Sequence, residues 1–284
     1  MSRPTKIAIV TGASSGIGEA TALAMARGGY HVVAVARREA LLESLVARIT
    51  ASGGSSSYVA ADLADEDATR RIVGHALDGY GHVDVLVNNA GYGPPFALEQ
   101  MSRTSVRHAF DVNLFGGMQL IAELTPSMRA RGRGRIINVS SVAKSVAAPF
   151  ATVYAGTKGA LDAMTDCLRL ELGPFGISLS LVIPGFVDTP TFDTAKAASK
   201  DVRADPANPY RATMDALETF ADAQLEKTGI PAERVGTLIT SIADARSPRA
   251  RYYVPGSARF AAVLFGALPD ALADRILRTM YGLP

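Results

Sequence analysis

Tyr154 and Lys158 stand four residues apart in the segment Tyr154-Ala155-Gly156-Thr157-Lys158. On a helix, positions i and i+4 share a face, so a phenol and an amine would lie side by side. A free phenol titrates near ~10 and is a poor proton donor or acceptor in neutral water. A neighbouring ammonium favours the phenolate and pulls that value down. The pair is therefore a candidate acid–base catalyst, a device that contributes roughly 10²–10⁴-fold in rate. Tyr and Lys at this spacing occur on many helices, so the pair needs support from the rest of the chain.

The elements around the pair follow a regular alternation. Short apolar runs at residues 7–10, 31–35, 58–61, 83–87, 136–139 and 178–183 are rich in Val and Ile. Longer stretches of helical period separate them, for example 18–27, 39–50 and 65–79. Strands apolar on both faces and separated by helices predict a buried parallel sheet. Right-handed crossovers then place helices on both faces, giving an α/β, doubly wound Rossmann arrangement. Residues 1–245 are expected to hold the dinucleotide-binding and catalytic fold. An insertion at about 188–228 lacks an apolar strand run and is expected to border a binding cleft. Residues 246–284 would add the last strand and a C-terminal helical extension of the same domain. Gly53 to Ser57 reads as a Gly/Ser loop.

Directly after the first apolar run comes Thr11-Gly12-Ala13-Ser14-Ser15-Gly16-Ile17-Gly18, which opens a helix. Gly12 permits a tight turn, Gly16 lets the backbone approach a phosphate, and Gly18 lets the helix pack closely on the sheet. Free N–H groups and the positive end of the helix dipole favour a pyrophosphate there. The strand–turn–helix setting that this glycine pattern requires is present. The second strand then ends Ala34-Val35-Ala36-Arg37-Arg38. An NAD site usually has an acid near this point for the ribose 2′-hydroxyl. Here Ala36 takes that place, and two arginines follow. Arg37 could pair bidentately with a 2′-phosphate, Arg38 adjoins it, and Ser14 could donate a further hydrogen bond. NADP(H) is thus preferred over NAD(H). Asp62, with Leu63 beside it, is placed to meet the adenine; Asp65 suits the N-cap of the next helix better.

Taken together, the Thr11 to Gly18 turn, Asn88-Asn89-Ala90-Gly91, Asn113, Ser140-Ser141 and Tyr154 to Lys158 resemble the short-chain dehydrogenase/reductase family. Pro184-Gly185-Phe186-Val187-Asp188-Thr189 adds to the likeness, which spans about residues 6–189. The resemblance implies an oxidoreductase that moves a hydride between nicotinamide and a carbonyl or alcohol. Tyr154 would be its general acid or base. Lys158 would lower the phenol's pKa and bind the nicotinamide ribose. Ser141, thirteen residues before Tyr154, would hold the substrate oxygen, with Ser140 as the competing candidate. Asn113 would kink its helix and hold a water leading to Lys158. Asn89, Ala90 and Gly91 would line the adenosine side and stabilise the sheet. Pro184, Gly185, Val187 and Thr189 would border the nicotinamide. Loss of a catalytic residue would instead point to a non-catalytic dinucleotide sensor or scaffold, but Asn113, Ser141, Tyr154 and Lys158 are all present. The helices bearing Asn113 and Tyr154 form subunit contacts in many relatives, implying a homodimer or homotetramer.

The remaining composition excludes more than it identifies. A net charge of +2 gives no field that favours nucleic acid. The four histidines are scattered without metal-ligand spacing. One cysteine, Cys167, rules out an internal disulfide and suggests a reducing, cytoplasmic setting; it reads as a buried structural thiol. The N-terminus lacks the long apolar run of a leader, and no stretch reaches the roughly 18–20 apolar residues that span a bilayer. Val142, Val146, Ala147, Ala148, Pro149 and Phe150 suggest an apolar substrate cleft, with Lys144 its one charge. In the basic tail, Leu268, Leu272, Ile276 and Met280 recur at helical spacing. Three placements suit that stripe: against the body over the cleft, at a subunit interface, or on a membrane surface. The tail resembles extensions in bacterial relatives of hydroxysteroid and retinol dehydrogenases.

Overall fold

In the computed structural model, residues 6–283 are described. Residues 1–5, part of the N-terminus weighed above as a leader, lie outside them, as does Pro284. Seven strands form one parallel sheet in the order β3-β2-β1-β4-β5-β6-β9. They are β1 (Lys6–Thr11), β2 (Tyr30–Ala36), β3 (Ser55–Ala60), β4 (Val85–Asn88), β5 (Gly134–Val139), β6 (Ile177–Pro184) and β9 (Arg251–Val254). Ile7 and Ile9 face one side of the sheet and Ala8 and Val10 the other, and every one of them is buried. This is why the central runs are apolar without alternation.

Helices α1 (Gly16–Arg27), α2 (Glu39–Ala51) and α9 (Ala232–Asp244) cover one face. Helices α3 (Ala68–Tyr80), α5 (Gly116–Ala130) and α6 (Thr152–Leu172) cover the other, with α4 (Arg103–Phe110) leading into α5. The strand order reverses between β1 and β4, so a crevice opens at their carboxyl ends, where such sheets bind ligands. Thr11, Asn88, Val139 and Pro184 end neighbouring strands along that edge.

Four local expectations need correction. Ser55 to Ser57 begin β3 rather than forming a loop. The strand lies at the sheet edge, and its serines bond His31, with Ser55 Oγ 2.7 Å from Nδ1, so it needs little apolar surface. Asp65 is not the N-cap of α3; it accepts from the Asp67 amide at 3.0 Å in a tight turn before the helix begins at Ala68. Cys167 is exposed, because α6 turns Lys158, Leu161, Asp162 and Thr165 inward and Cys167 falls on the opposite face. In the tail, Leu272, Ile276 and Met280 are exposed, and the neighbouring Leu277 and Tyr281 are the residues that pack inward.

The insertion is helical, with α7 (Thr191–Ala204) and α8 (Arg211–Thr228). A two-residue parallel pair, β7 (Val187–Asp188) against β8 (Ile230–Pro231), closes its base. After β9, helices α10 (Ser257–Ala267) and α11 (Asp270–Met280) follow, with Pro269 just before the second. Phe186 stacks on Phe192 at 6.0 Å and meets Phe220 edge-on at 6.3 Å. Phe220 in turn meets Tyr281 at 4.9 Å. Aromatic pairs of this geometry attract beyond the area they bury. The tail thus packs on the insertion and does not stand free.

Candidate active site

The turn after β1 is braced from β4. The Thr11 hydroxyl accepts from the Asn89 amide at 2.9 Å and the Ala90 amide at 3.0 Å, and the Asn89 side chain donates to the Thr11 carbonyl at 2.9 Å. Gly12 and Gly16 take positive φ angles of 67° and 58°, a conformation glycine alone adopts at no steric cost. A Cβ on Gly18 would collide with the Gly12 carbonyl and stand 2.6 Å from the Asn89 side-chain nitrogen. Gly16 faces Thr189, and a Cβ there would come 3.0 Å from the threonine methyl. The N-cap Ser15 makes no side-chain bond to the first-turn amides of α1. The cradle therefore fits a pyrophosphate: close backbone, outward N–H groups, and no side chain between Gly16 and Thr189.

The two arginines after β2 divide their partners. Arg38 donates to Ser14 Oγ at 2.9 Å and to Ser15 Oγ at 2.7 Å. Arg37 lies 3.5 Å from Asp62, an exposed ion pair. Asp62 also accepts from the Ala64 amide at 3.0 Å, with Leu63 buried between them. The sequence reading favoured Arg37 as the phosphate ligand. In the structure it is Arg38 whose guanidinium is fixed on the turn, because Arg37 has a carboxylate within reach.

The acid–base pair lies on α6 as the spacing predicts. Lys158 is only 3% exposed, and its ammonium donates to the Val139 carbonyl at 2.7 Å. It stands 5.7 Å from the centroid of the Tyr154 ring, within cation–π range. Burial pushes the Lys158 pKa down to about 8, and Asp162 opposes that shift. Burial pushes the Tyr154 phenol up, while its hydrogen bond with Ser141 pulls it down. The net shift of the phenol is upward, so the lowering by Lys158 expected from the spacing does not appear; the ammonium points to the Val139 carbonyl instead. Ser141 caps the 3₁₀ turn Val142–Lys144, accepting from the Ala143 amide at 3.2 Å. The competing Ser140 donates instead to buried Asp162 at 2.5 Å. Lys144, taken from sequence as a cleft charge, is also drawn to Asp162, at 3.1 Å.

Asn113 occupies a π-helical turn, Asp111–Phe115, between α4 and α5. Its side chain accepts from the Tyr92 amide at 2.9 Å and donates to the Tyr92 carbonyl at 2.8 Å and to Thr157 at 3.2 Å. Gly91 fits where a Cβ would stand 3.2 Å from Asn113 Oδ1 and 3.4 Å from Lys158 Nζ. Gly93 lies against the Tyr154 ring. Three separate elements thus meet around Tyr154 and Lys158: the segment after β4, the π turn and α6. Across the crevice, Gly185 donates to the Val254 carbonyl at 2.9 Å and Val187 pairs with Ile230, which fixes the path from Pro184 to Thr189.

A family model described as short chain dehydrogenase matches residues 6–200. The chain belongs to the short-chain dehydrogenase/reductase family. An uncharacterized oxidoreductase of Methylorubrum extorquens is 41% identical over 200 residues, covering 70% of this chain and 80% of that protein. Another uncharacterized oxidoreductase, YusZ of Bacillus subtilis, is 33% identical over 276 residues, 96% of this chain and 97% of its own. Among solved structures, a short-chain dehydrogenase from Streptomyces avermitilis superposes with a TM-score of 0.77 at 29% identity, covering 99% of this chain and 97% of that one. L-sorbose reductase from Gluconobacter frateurii, complexed with NADPH and L-sorbose, gives 0.76 at 27% identity over 89% of this chain and 95% of its own. A family member from Burkholderia phymatum in complex with NAD gives 0.79 at 26% identity over 92% of both chains. Family membership makes the chain an oxidoreductase of Rossmann fold.

Several contacts that shape this candidate site lie beyond a motif reading. The Asn88 amide donates to Asn138 at 3.0 Å, and Asn138 donates to Thr165 at 2.9 Å, a buried polar bridge linking β4, β5 and α6. Asp162, four residues after Lys158, carried a detectable signal: an acid one turn from the lysine on the same face of α6. Tyr281 carried none, because its partner Ala147 is 134 residues away.

Proposed function

We propose that this chain is an NADP(H)-dependent dehydrogenase/reductase acting on a hydrophobic carbonyl or secondary alcohol, with Tyr154 as its proton donor and acceptor. The observation that carries the reading is buried Lys158, 5.7 Å from the centroid of the Tyr154 ring and donating to the Val139 carbonyl two residues before Ser141. When bound, the nicotinamide supplies or takes up the hydride. Gly12, Ser14, Ser15, Gly16, Ile17 and Gly18 would hold its pyrophosphate end, and Asp62, Leu63, Asn89, Ala90 and Gly91 its adenosine. Pro184, Gly185, Val187 and Thr189 would border the nicotinamide, with Lys158 on the ribose.

The protein's own part is positional and acid–base. A phenol whose pKa is pushed up by desolvation keeps its proton at neutral pH, which suits a donor to a carbonyl oxygen during reduction. Ser141 holds that oxygen and polarises it. In oxidation the phenol must lose its proton, and the Lys158 ammonium and the Ser141 bond favour the resulting charge. Asn113, bonded to Thr157 one turn from Tyr154, fixes the π turn against α6. Replenishment of the proton through a water at Asn113 is part of the same proposal.

Arg38 and Ser14 support the NADP(H) preference. An arginine pinned on the turn, with no acid at the end of β2, offers a bidentate partner to a 2′-phosphate and none to a 2′-hydroxyl. Arg37, released from Asp62, would be a second. The cleft side of residues 142–150 and the aromatic group Phe186, Phe192 and Phe220 favour an apolar substrate. Exposed Phe115, Met164 and Leu170 lie on or beside the helices expected to join subunits, which supports a homodimer or homotetramer. Among the described residues no helix is long and apolar enough to cross a membrane. With a single cysteine, we assign a cytoplasmic setting. The test is a screen of ketones and secondary alcohols followed by NADPH absorbance. Turnover of apolar ketones with NADPH, and much slower turnover with NADH, is expected. Tight NADPH binding without turnover of any carbonyl or alcohol would overturn the reading in favour of a sensor.

A further inference from the structure

The buried carboxylate of Asp162 has no part in the chemistry just described, yet it touches both halves of it. It is 6% exposed and sits one turn beyond Lys158 on α6. Oδ1 accepts from Ser140 at 2.5 Å. Oδ2 is fully buried without a hydrogen bond, and the Lys144 ammonium stands 3.1 Å from it. Ser140 and Lys144 lie on either side of Ser141, one residue before it and three after. A buried carboxylate is costly unless paired and hydrogen-bonded, so these partners and the acid hold one another in place.

We propose that Asp162 is a positioning residue of this active site: its carboxylate clamps the turn that carries Ser141 onto the helix that carries Tyr154 and Lys158. The inference rests on the reading of Ser141, Tyr154 and Lys158 as the catalytic group. Two attachment points flanking Ser141 fix the backbone of its turn against α6, while the Ala143 amide orients the Ser141 hydroxyl. The same carboxylate, one turn along α6 and without a direct bond to it, acts on the Lys158 ammonium through its charge. The groups that face it are Lys158 from α6, Lys144 and Ser140 from the segment after β5, and Arg251 from β9, itself held by Asp166. Around Lys158 the remaining partners are the neutral Val139 carbonyl and the Tyr154 ring.

The clamp has a signature that simple damage to the fold does not share. Asp162→Asn removes the anion and leaves buried Lys158 and half-buried Lys144 facing a neutral amide, so Lys158 loses its proton more easily. Lys144→Met removes a competing cation and leaves the carboxylate to Lys158, so Lys158 holds its proton more tightly. The alkaline limb of kcat should therefore move to lower pH in Asp162→Asn and to higher pH in Lys144→Met. In both variants kcat should fall about tenfold or more, the scale for loss of a positioned charge-assisted hydrogen bond, with NADPH affinity changed less than about twofold.

The experiment pairs these pH profiles with NMR titration of the Lys158 ε-methylene in lysine-labelled protein, assigned by its absence in Lys158→Met. The NMR arm needs no turnover. If the wild type reduces no carbonyl, the functional reading fails while the influence of Asp162 on Lys158 is still measured. Opposite shifts in the two variants support the clamp. A Lys158 titration unchanged in both, or a wild-type kcat in Asp162→Asn, would overturn it. If Asp162→Asn fails to fold, Ser140→Ala and Lys144→Met each cut one attachment. Wild-type kcat in both of these would equally overturn it.

Discussion

The proposed cofactor side and the proposed substrate side of this molecule are held together in different ways. Around the β1–α1 turn the shape is set by backbone: glycines at positive φ, parallel register, and amides bonded to Thr11. Around residues 142–150 and the insertion it is set by side chains, in the aromatic series Phe192, Phe186, Phe220 and Tyr281. The Tyr281 hydroxyl closes the series by donating to the Ala147 carbonyl at 3.1 Å. Phe150, at a φ of 62°, is held in a strained left-handed conformation while its ring meets Tyr210 edge-on at 5.8 Å. Backbone geometry permits almost no substitution. A side-chain wall can be repacked, which is how one fold accepts different substrates.

That contrast sets the order of the expected effects. Gly18→Val should be the most damaging change, since its Cβ would collide with the Gly12 carbonyl and crowd Asn89. It should cost at least about 1–3 kcal/mol of stability and abolish NADPH binding, read from a urea midpoint and a fluorescence titration. An intact, NADPH-binding variant would break the comparison. Arg38→Ala should weaken NADPH by about tenfold or more while leaving NADH nearly unchanged, measured by the same titration. Arg37→Ala should do less, because Arg37 is paired with Asp62. Equal weakening of both cofactors would contradict the selectivity argument.

A pH effect of intermediate size follows from Lys158. Its pKa is lowered to about 8, so the ammonium is complete well below that value and is lost as pH rises through it. The kcat for carbonyl reduction, in which the phenol keeps its proton, should therefore fall above about pH 8, and a profile flat to pH 10 would remove Lys158 from the mechanism. The smallest change belongs to the substrate wall. Tyr281→Phe removes one hydrogen bond, about 1 kcal/mol of stability, and should alter KM for bulky ketones more than kcat. Tyr281→Ala also removes the ring packed on Phe220 and should widen the range of ketones accepted.

The same contrast explains what could be read from the sequence. The sheet, the turn and the placement of Tyr154 and Lys158 on one helix follow from local rules: apolar runs, glycine spacing and helical period. Those rules stop at contacts between distant residues. Asp162 recruits Ser140 and Lys144 only after β5 and α6 pack, so Lys144 was read as a free charge in the cleft. Helical spacing selects Leu268, Leu272, Ile276 and Met280 as the tail stripe, yet Leu277 and Tyr281 are the buried residues, with Tyr281 held by the Ala147 carbonyl and the Phe220 ring. Arg37 and Arg38 are alike by type, and only the folded contacts separate them: Asp62 beside Arg37, the Ser14 and Ser15 hydroxyls on Arg38.

The central claim is that the Tyr154 hydroxyl moves the proton. Tyr154→Phe keeps the ring and its packing and deletes that one oxygen. The decisive measurement is its kcat for NADPH-dependent ketone reduction beside its NADPH dissociation constant. A fall of roughly 10²–10⁴-fold in kcat with unchanged NADPH binding is expected. Turnover close to wild type would contradict the account.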